Sequence, residues 1–204
     1  MKNKINSCLG NFGYQGRVSA KIVDKNNHIL QYNNSHNGGT PTFFANLASL
    51  LANEPGVDLS SIRPGYIALY TLKNQNLGAN ASWSEITGQN SPTPDPAITN
   101  VTQLVPLESR LAVNDNDGKY TNLQLKIPFT YIAGDKVHLF ALFPESIATV
   151  NNTNDEVAIT RLTDAIAYYK LTSGGTWAPF DIDKTVLQNS LVIDWSLAFS
   201  DKGE

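Results

Sequence analysis

Apolar and polar residues alternate over much of this sequence, and the alternation predicts β-strands. In "GRVSAKIVD" the alternation runs from Arg17 to Ile22, so one face of this segment is expected to be buried. The polar turn "DKNNH" follows, and "HILQYNN" resumes an extended pattern, so the two segments predict a β-hairpin. Near the C terminus, "SLVIDWSLAFS" shows the same two-residue period and places Trp195 among the core positions.

Other segments bounded by turn residues predict further strands. They are "RPGYIALYTL", "TNVTQLVPL", "SRLAVND", "NLQLKIPFTY", "DKVHLFALF", "EVAITRL" and "AIAYYKL". Of these, "DKVHLFALF" is mostly apolar, which is typical of a central strand. About eight to ten strands with one helix predict a mainly β fold, either an antiparallel β-sandwich or a jelly-roll-like domain.

The stretch "HNGGTPTFFANLASLLAN" predicts the one amphipathic helix, near residues 41–52. Its apolar positions fall at i, i+4, i+7 and i+8, with one further aromatic residue that widens the stripe: Phe43, Leu47, Leu50, Leu51 and Phe44. The expectation is that Phe43, Phe44, Leu47 and Leu51 pack onto a sheet. The segment "ANEPG" supplies the stop signals.

The two glycines before this helix raise the alternative of a phosphate site. A P-loop needs a lysine at the helix start, and none is present; a dinucleotide fold needs a parallel sheet, whereas the strands here predict a hairpin. Thr40 is well placed as the N-cap and Pro41 as the first helical residue. We therefore interpret the stretch as a turn from strand into helix, with an anion at the amides of Gly38 and Gly39 as the alternative.

The pattern divides the chain into an arm and a domain. Residues 1–13 are predicted as an extended N-terminal arm, and residues 14–204 as a single β-rich domain. Residues 73–97 predict a long polar loop that ends in three prolines. Loops of this length in a compact domain are usually functional or mobile.

Composition and charge exclude several classes of partner. The net charge is −3 and no basic block occurs, so no nucleic-acid partner is expected. No apolar run approaches the ~18 residues of a membrane span, and the N terminus lacks the apolar region of a secretory signal. A single cysteine, Cys8, gives no internal disulfide. The 22 asparagines, with 14 glycines and 10 prolines, are typical of short strands joined by turns.

No motif predicts a metal site or a cofactor. The three histidines are far apart in sequence and fit no metal-ligand spacing: His28, His36 and His138. The segment "VNDNDGKYTNLQ" is similar to a calcium loop, but Val113 and Gln124 occupy positions where the loop needs ligands. Asp117 and Gly118 are better interpreted as a hairpin turn.

No motif predicts catalysis either, and we expect no enzyme. The chain has no G-x-S-x-G element, and Cys8 has no neighbouring histidine to activate it. Two acidic pairs fit turns better than a glycosidase centre: Asp181 with Asp183, and Asp155 with Glu156. A hydrolase would require acids distant in sequence to converge on one cleft.

Four aromatic residues are the candidate contacts with a glycan or a protein neighbour: Trp83, Trp177, Tyr168 and Tyr169. Trp83 lies in the long polar loop and Trp177 in the loop-like "SGGTWAPF". Exposed tryptophans in loops are often binding residues. The alternative is that each tryptophan packs under its own loop.

The hairpin, the "N-x-GT-x-x-FF" helix start and the final "VIDWSLAF" strand together resemble small virion proteins of tailed bacteriophages. The resemblance covers the first ~55 and last ~12 residues by pattern, and no chemical motif is part of it. It implies a β-rich structural protein of the virion, capsid- or tail-associated. Its partners would be other virion proteins and copies of itself. The alternative hypothesis is a carbohydrate-binding β-sandwich module that uses the loop aromatics, with a host glycan as ligand.

Overall fold

The computed structural model describes residues 12–73, 76–89, 95–102, 104–115, 118–149 and 162–201. Of the predicted arm, residues 1–11 lie outside this range, whereas Phe12 and Gly13 are the first residues of a strand. Cys8, Asp155, Glu156 and all but the end of the predicted strand "EVAITRL" also lie outside the described residues.

The described residues form fifteen strands and two α-helices. The strands are β1 (Phe12–Val23), β2 (Ile29–His36), β3 (Gly38–Gly39), β4 (Pro64–Leu72), β5 (Ile98–Asn100), β6 (Val105–Pro106), β7 (Ser109–Asp115), β8 (Gly118–Pro128), β9 (Lys136–Val137), β10 (Leu139–Pro144), β11 (Ala167–Lys170), β12 (Thr172–Ser173), β13 (Thr176–Trp177), β14 (Phe180–Asp181) and β15 (Ser190–Asp201). The helices are α1 (Pro41–Leu51) and α2 (Trp83–Thr87).

Two antiparallel sheets hold most of these strands, which confirms the predicted mainly β fold. Sheet I has the order β2-β1-β15-β8-β7, and the predicted hairpin of β1 and β2 lies at one edge of it. Sheet II has the order β3-β11-β10-β4-β5, with β6 also paired to β4. The predicted central strand β10 pairs on both sides and is buried along its whole length. β7 and β8 pair as a hairpin, with Asp115 opposite Gly118, and Asp117 of the predicted turn lies outside the described residues.

The main core lies between the two sheets. Sheet I contributes the alternating apolar residues of β1, β8 and β15, and sheet II contributes one face of β4, β10 and β11. Trp195 of β15 is fully buried here, as its pattern predicts. The other face of sheet II carries a second cluster that includes Tyr70, Leu139 and Phe143. Sheet II is therefore buried on both faces, which explains the nearly continuous apolar sequence of β10.

The stretch before α1 carries the chain from one sheet to the other. Asn37 N–H donates to Gly16 O of β1, and the two glycines of β3 then pair with β11. A Cβ on Gly38 would lie 3.0 Å from the ring of Tyr168, so the absence of a side chain allows this close approach. The interpretation as a turn from strand into helix is consistent with this path.

Thr40 and Pro41 begin α1 as predicted. The Thr40 hydroxyl oxygen accepts a hydrogen bond from Phe43 N–H at 3.2 Å and also donates to the buried carbonyl of Ala165. Thr40 N–H donates to Ile166 O at 3.1 Å. Thr40 is fully buried, so it both caps the helix and ties it to the chain before β11.

Replacing Thr40 with alanine is expected to destabilise the protein by about 2 kcal/mol, because it removes the cap and leaves the Ala165 carbonyl without its donor. The measurement is chemical denaturation of the purified variant. Thr40→Ser, which keeps the hydroxyl, is the control and is expected to lose less than half as much. Equal losses for the two variants would show that the methyl group, and not the hydroxyl, matters here.

The orientation of α1 differs in part from the prediction. Phe43 is buried and Leu47 packs against the core, but Phe44 is 47 % exposed and Leu51 is 77 % exposed. The expectation that Phe44 and Leu51 pack onto a sheet is therefore wrong. The reason is geometric: apolar residues occur on more than one side of this helix, and only one side can meet the core.

The predicted loop at residues 73–97 also differs from expectation, because it contains α2. Ser82 and Glu85 form a capping box: the Ser82 hydroxyl accepts from Glu85 N–H, and the Glu85 carboxylate accepts from Ser82 N–H at 2.7 Å. Gly88 ends the helix at φ +70°, where a Cβ would lie 2.5 Å from Asp95 O. The capping-box spacing was present in the sequence and could have predicted this helix.

Candidate functional site

The four predicted aromatic contacts do not form one surface. Tyr168 and Tyr169 are consecutive on β11, so their side chains lie on opposite faces of sheet II. Tyr169 belongs to the core between the sheets, and Tyr168 borders the outer cluster. A platform that combines the four rings is therefore excluded by the alternation of the strand.

Tyr169 is buried, and its hydroxyl bonds to β2, the edge strand of sheet I. Its ring stacks on Phe140 with centroids 5.7 Å apart, and its hydroxyl donates to Asn33 Oδ1 of β2. Burial raises the pKa of the phenol, so it stays protonated as a donor. At 1 % exposure Tyr169 cannot contact a glycan.

Trp83 is also buried, with 4 % of its surface exposed. Its ring stacks on Tyr168 with centroids 4.7 Å apart and an interplanar angle of 19°. Its indole Nε1 is buried and has no acceptor among the described residues. The prediction of Trp83 as a surface contact is wrong, because the short helix α2 turns this ring towards sheet II.

Trp177 is half-buried and contacts residues 76–89, the segment that contains α2. Its Nε1 donates to Leu77 O at 2.7 Å, and its ring packs edge-on against the His138 ring, with the two centroids 6.0 Å apart. Lys170 adds two bonds from Nζ, to Ala79 O at 2.7 Å and to Ala81 O at 3.0 Å. Trp83, Tyr168 and Trp177 thus come together as anchors of residues 76–89 over the outer face of sheet II.

His138 is buried next to this anchor, between β9 and β10. Thr71 Oγ1 lies 3.1 Å from its Nδ1, and Leu72 N–H points at the same atom from 3.5 Å. Burial, and then the neighbouring charge of Lys136, lower the pKa of the imidazole. A neutral ring that accepts at Nδ1 fits this setting, so His138 has a structural role here.

No metal centre is assembled within the described ranges. They contain no group of three or more histidine, cysteine, aspartate or glutamate side chains that could hold a metal ion. Asp183 accepts from Thr185 N–H and Oγ1, which lowers the pKa of its carboxyl group, as in an ordinary polar turn. Asp181 is exposed, and its carboxylate lies 3.7 Å from Lys136 Nζ. Asp183 therefore has the turn role that the sequence favoured, whereas Asp181 lies on strand β14 and not in a turn.

An open groove of about 540 Å³ lies beside the edge strand β2. We call it the β2 groove; it is lined by Gln31, Tyr32, Asn33, Asn34, Thr172, Ser173, Ala178, Pro179 and Phe180. None of these side chains is charged, and five of them carry an amide or an aliphatic hydroxyl group. Its size is in the range of small-ligand sites, which span about 300–1,000 Å³.

Contacts within the protein fix two amides of the β2 groove. Asp181 N–H donates to Gln31 Oε1 at 3.2 Å, and Asn33 Nδ2 donates to Thr172 O at 3.2 Å. The Asn33 oxygen is held in turn by the Tyr169 hydroxyl. Both amide oxygens therefore accept within the protein, and Asn33 also donates one of its two N–H groups to Thr172 O. The N–H groups of Gln31 and the second N–H of Asn33 remain for a ligand.

A second notable surface is the outward side of α1. We call it the α1 face; it consists of Phe44, Ala48 and Leu51, which follow each other at helical spacing and are all exposed. No charged residue occurs anywhere in α1. Leu59, on the 3-10 turn Leu59–Ser61 that follows, is 56 % exposed.

Comparisons with protein-family models, with curated proteins and with solved structures found no match to this chain. None of the helices in the described part of the chain is long and apolar enough to span a membrane.

Sequence reasoning missed both of these surfaces. The β2 groove joins residues 31–34 to residues 172–180, and no local pattern links segments so far apart. The α1 face was visible as a helix that is apolar on more than one side and uncharged. That signal predicts a helix with two apolar contacts; Phe43 and Leu47 make one of them with the core, and Leu51 on the other side is exposed.

Proposed function

We propose that the protein is a structural component of a tailed-bacteriophage virion that acts through contacts between subunits. The assembly role is inferred from the exposed, uncharged α1 face. Leu51 is 77 % exposed and lies on an uncharged helix, where a solvated face would ordinarily carry charged residues. A second copy of this chain, or another virion protein, would bury this surface. The virion assignment is supported by the sequence resemblance.

The chemistry of the described residues favours this role over that of a hydrolase. Asp95 and Asp181 form surface ion pairs, Asp183 accepts hydrogen bonds within a turn, and the buried imidazole of His138 accepts a hydrogen bond within the protein. Trp83, Tyr168 and Trp177 anchor residues 76–89 rather than forming a cleft. A rigid sandwich with one apolar helix face suits a repeated building block, because each copy can present the same contact.

The assembly role is tested by the mass of the protein in solution over a range of concentrations. The wild-type chain is expected to form a symmetric oligomer, and Leu51→Lys is expected to shift it to monomer, because a charge in an apolar contact is strongly disfavoured. Leu187→Lys is the matched control, since Leu187 is an exposed leucine on another segment, 45 % exposed. It is expected to leave the oligomer unchanged.

A wild-type chain that stays monomeric and binds no particle component would contradict the assembly role. A shortened chain that lacks residues 1–11, the part of the predicted arm that precedes β1, separates a role of the arm from that of α1, because loss of the oligomer in this variant alone would assign the contact to the arm. The virion assignment has its own readout, which is detection of the chain in purified phage particles by peptide mass spectrometry.

A further inference from the structure

The β2 groove is distinct from the α1 face and from the anchor of residues 76–89. One wall is the edge strand β2, and the other is formed by β12 with residues 178–180. Side chains alternate along β2, and Gln31 and Asn33 stand opposite the buried Ile22 and Ala20 of β1. Gln31 and Asn33 therefore lie on the side of sheet II, and Tyr32 forms the outer rim.

The chemistry of this groove is polar but uncharged. Amide groups come from β2, the hydroxyl groups come from Thr172 and Ser173, and Pro179 and Phe180 add apolar surface. A ligand with many hydroxyl groups and no charge matches this set, because amides both donate to and accept from hydroxyls. A phosphate or carboxylate ligand would lack a cation among the lining residues.

Tyr32 supplies the aromatic ring that such a ligand needs. It is 56 % exposed, which leaves much of the ring available for contact. The apolar C–H face of a sugar can pack on an aromatic ring while its hydroxyls reach neighbouring polar groups. The fixed amides of Gln31 and Asn33 lose little freedom on binding, which favours a specific site.

We propose that the β2 groove binds a neutral oligosaccharide that crosses the edge strand β2. Tyr32 packs on one sugar ring at the outer rim, and Gln31 and Asn33 donate to hydroxyls of a neighbouring sugar on the inner side. The site goes beyond the proposed assembly role and uses none of the residues of the α1 face. It also uses none of the four aromatics that the sequence singled out.

The probe is an array that carries neutral and anionic oligosaccharides, followed by calorimetry with the best neutral binder. We expect retention on neutral glycans. Tyr32→Ala is expected to weaken binding at least about tenfold, which corresponds to the loss of one aromatic contact. Tyr32→Phe, which keeps the ring, is expected to bind within about twofold of wild type, a difference below one hydrogen bond.

Two further variants make the test specific. Tyr131→Ala is the matched control, because Tyr131 is 69 % exposed and lies outside the groove, and it is expected to bind as wild type does. Gln31→Glu keeps the acceptor for Asp181 N–H and removes the donor, so it is expected to weaken binding at least about fivefold. The melting temperature of each variant is first compared with that of wild type, so that a loss of binding is not attributed to a loss of folding.

Several results would overturn the proposal. They are no retention on any neutral glycan, retention on anionic glycans alone, or equal affinity of wild type and Tyr32→Ala. Self-association through β2 that Tyr32→Ala abolishes, without glycan binding, would also overturn it and would assign this edge to a protein partner. Leu51→Lys separates the two proposals: a monomer that still binds the glycan would support the groove even where the assembly role fails.

Discussion

Replacing Trp195 with alanine is expected to lower the free energy of unfolding by about 3–5 kcal/mol, the range for a large aromatic side chain removed from a core. Trp195 is fully buried on β15, opposite Val18 of β1 and Leu123 of β8. All three lie in the core between the sheets. The cavity would open at the centre of sheet I, where the paired strands cannot move together without breaking their register.

The measurement for Trp195 is urea denaturation combined with a thermal scan. A loss of this size lowers the melting temperature by about 10 °C in a domain of this length. Trp195→Phe is the control, and it is expected to lose less than half as much because most of the volume stays filled. A melting temperature of Trp195→Ala within about 2 °C of wild type would show that this part of the core is loosely packed.

Replacing Trp83 with alanine is expected to cost about 3–4 kcal/mol as well, because it removes the stacked partner of Tyr168 and the largest of the buried side chains of α2. The loss of structure is expected to begin locally, in residues 76–89. Residues 76–89 are then held by the bonds from Lys170 and Trp177 and by the buried Ile86, so their amide hydrogens are expected to exchange faster than those of the sheets. Hydrogen exchange followed by mass spectrometry measures this difference.

Trp83→Phe makes the second prediction specific. Phenylalanine keeps a ring against Tyr168 and removes an indole N–H that has no acceptor among the described residues. The cost is therefore expected to be about 1 kcal/mol or less, since the loss of volume is offset by relief of an unsatisfied donor. A variant Trp83→Ala that folds as stably as wild type but loses glycan binding would restore Trp83 as a surface contact.

The sequence alone predicted the longer strands and α1, because their signals are local, but not the two-residue strands β3, β12, β13 and β14. Burial of one strand face leaves a two-residue period, and this was readable from Arg17 to Ile22 and around Trp195. A cap and a first helical proline leave a signature of their own, which Thr40 and Pro41 supply. These features depend on neighbouring residues in the chain, so they can be predicted without knowing the order of the strands in the sheets.

Tertiary structure decided which apolar and aromatic residues face solvent. Trp83 lies in a polar stretch and Tyr32 in a strand, yet the first is buried and the second is exposed. Leu51 fits the apolar stripe of α1 but points away from the core. The β2 groove requires residues 31–34 to meet residues 172–180, about 140 positions along the chain. Contact between distant segments follows from sheet pairing and packing, and neither is encoded in a local period. The sequence therefore determined the elements, and the packing of the two sheets decided the surfaces on which function depends.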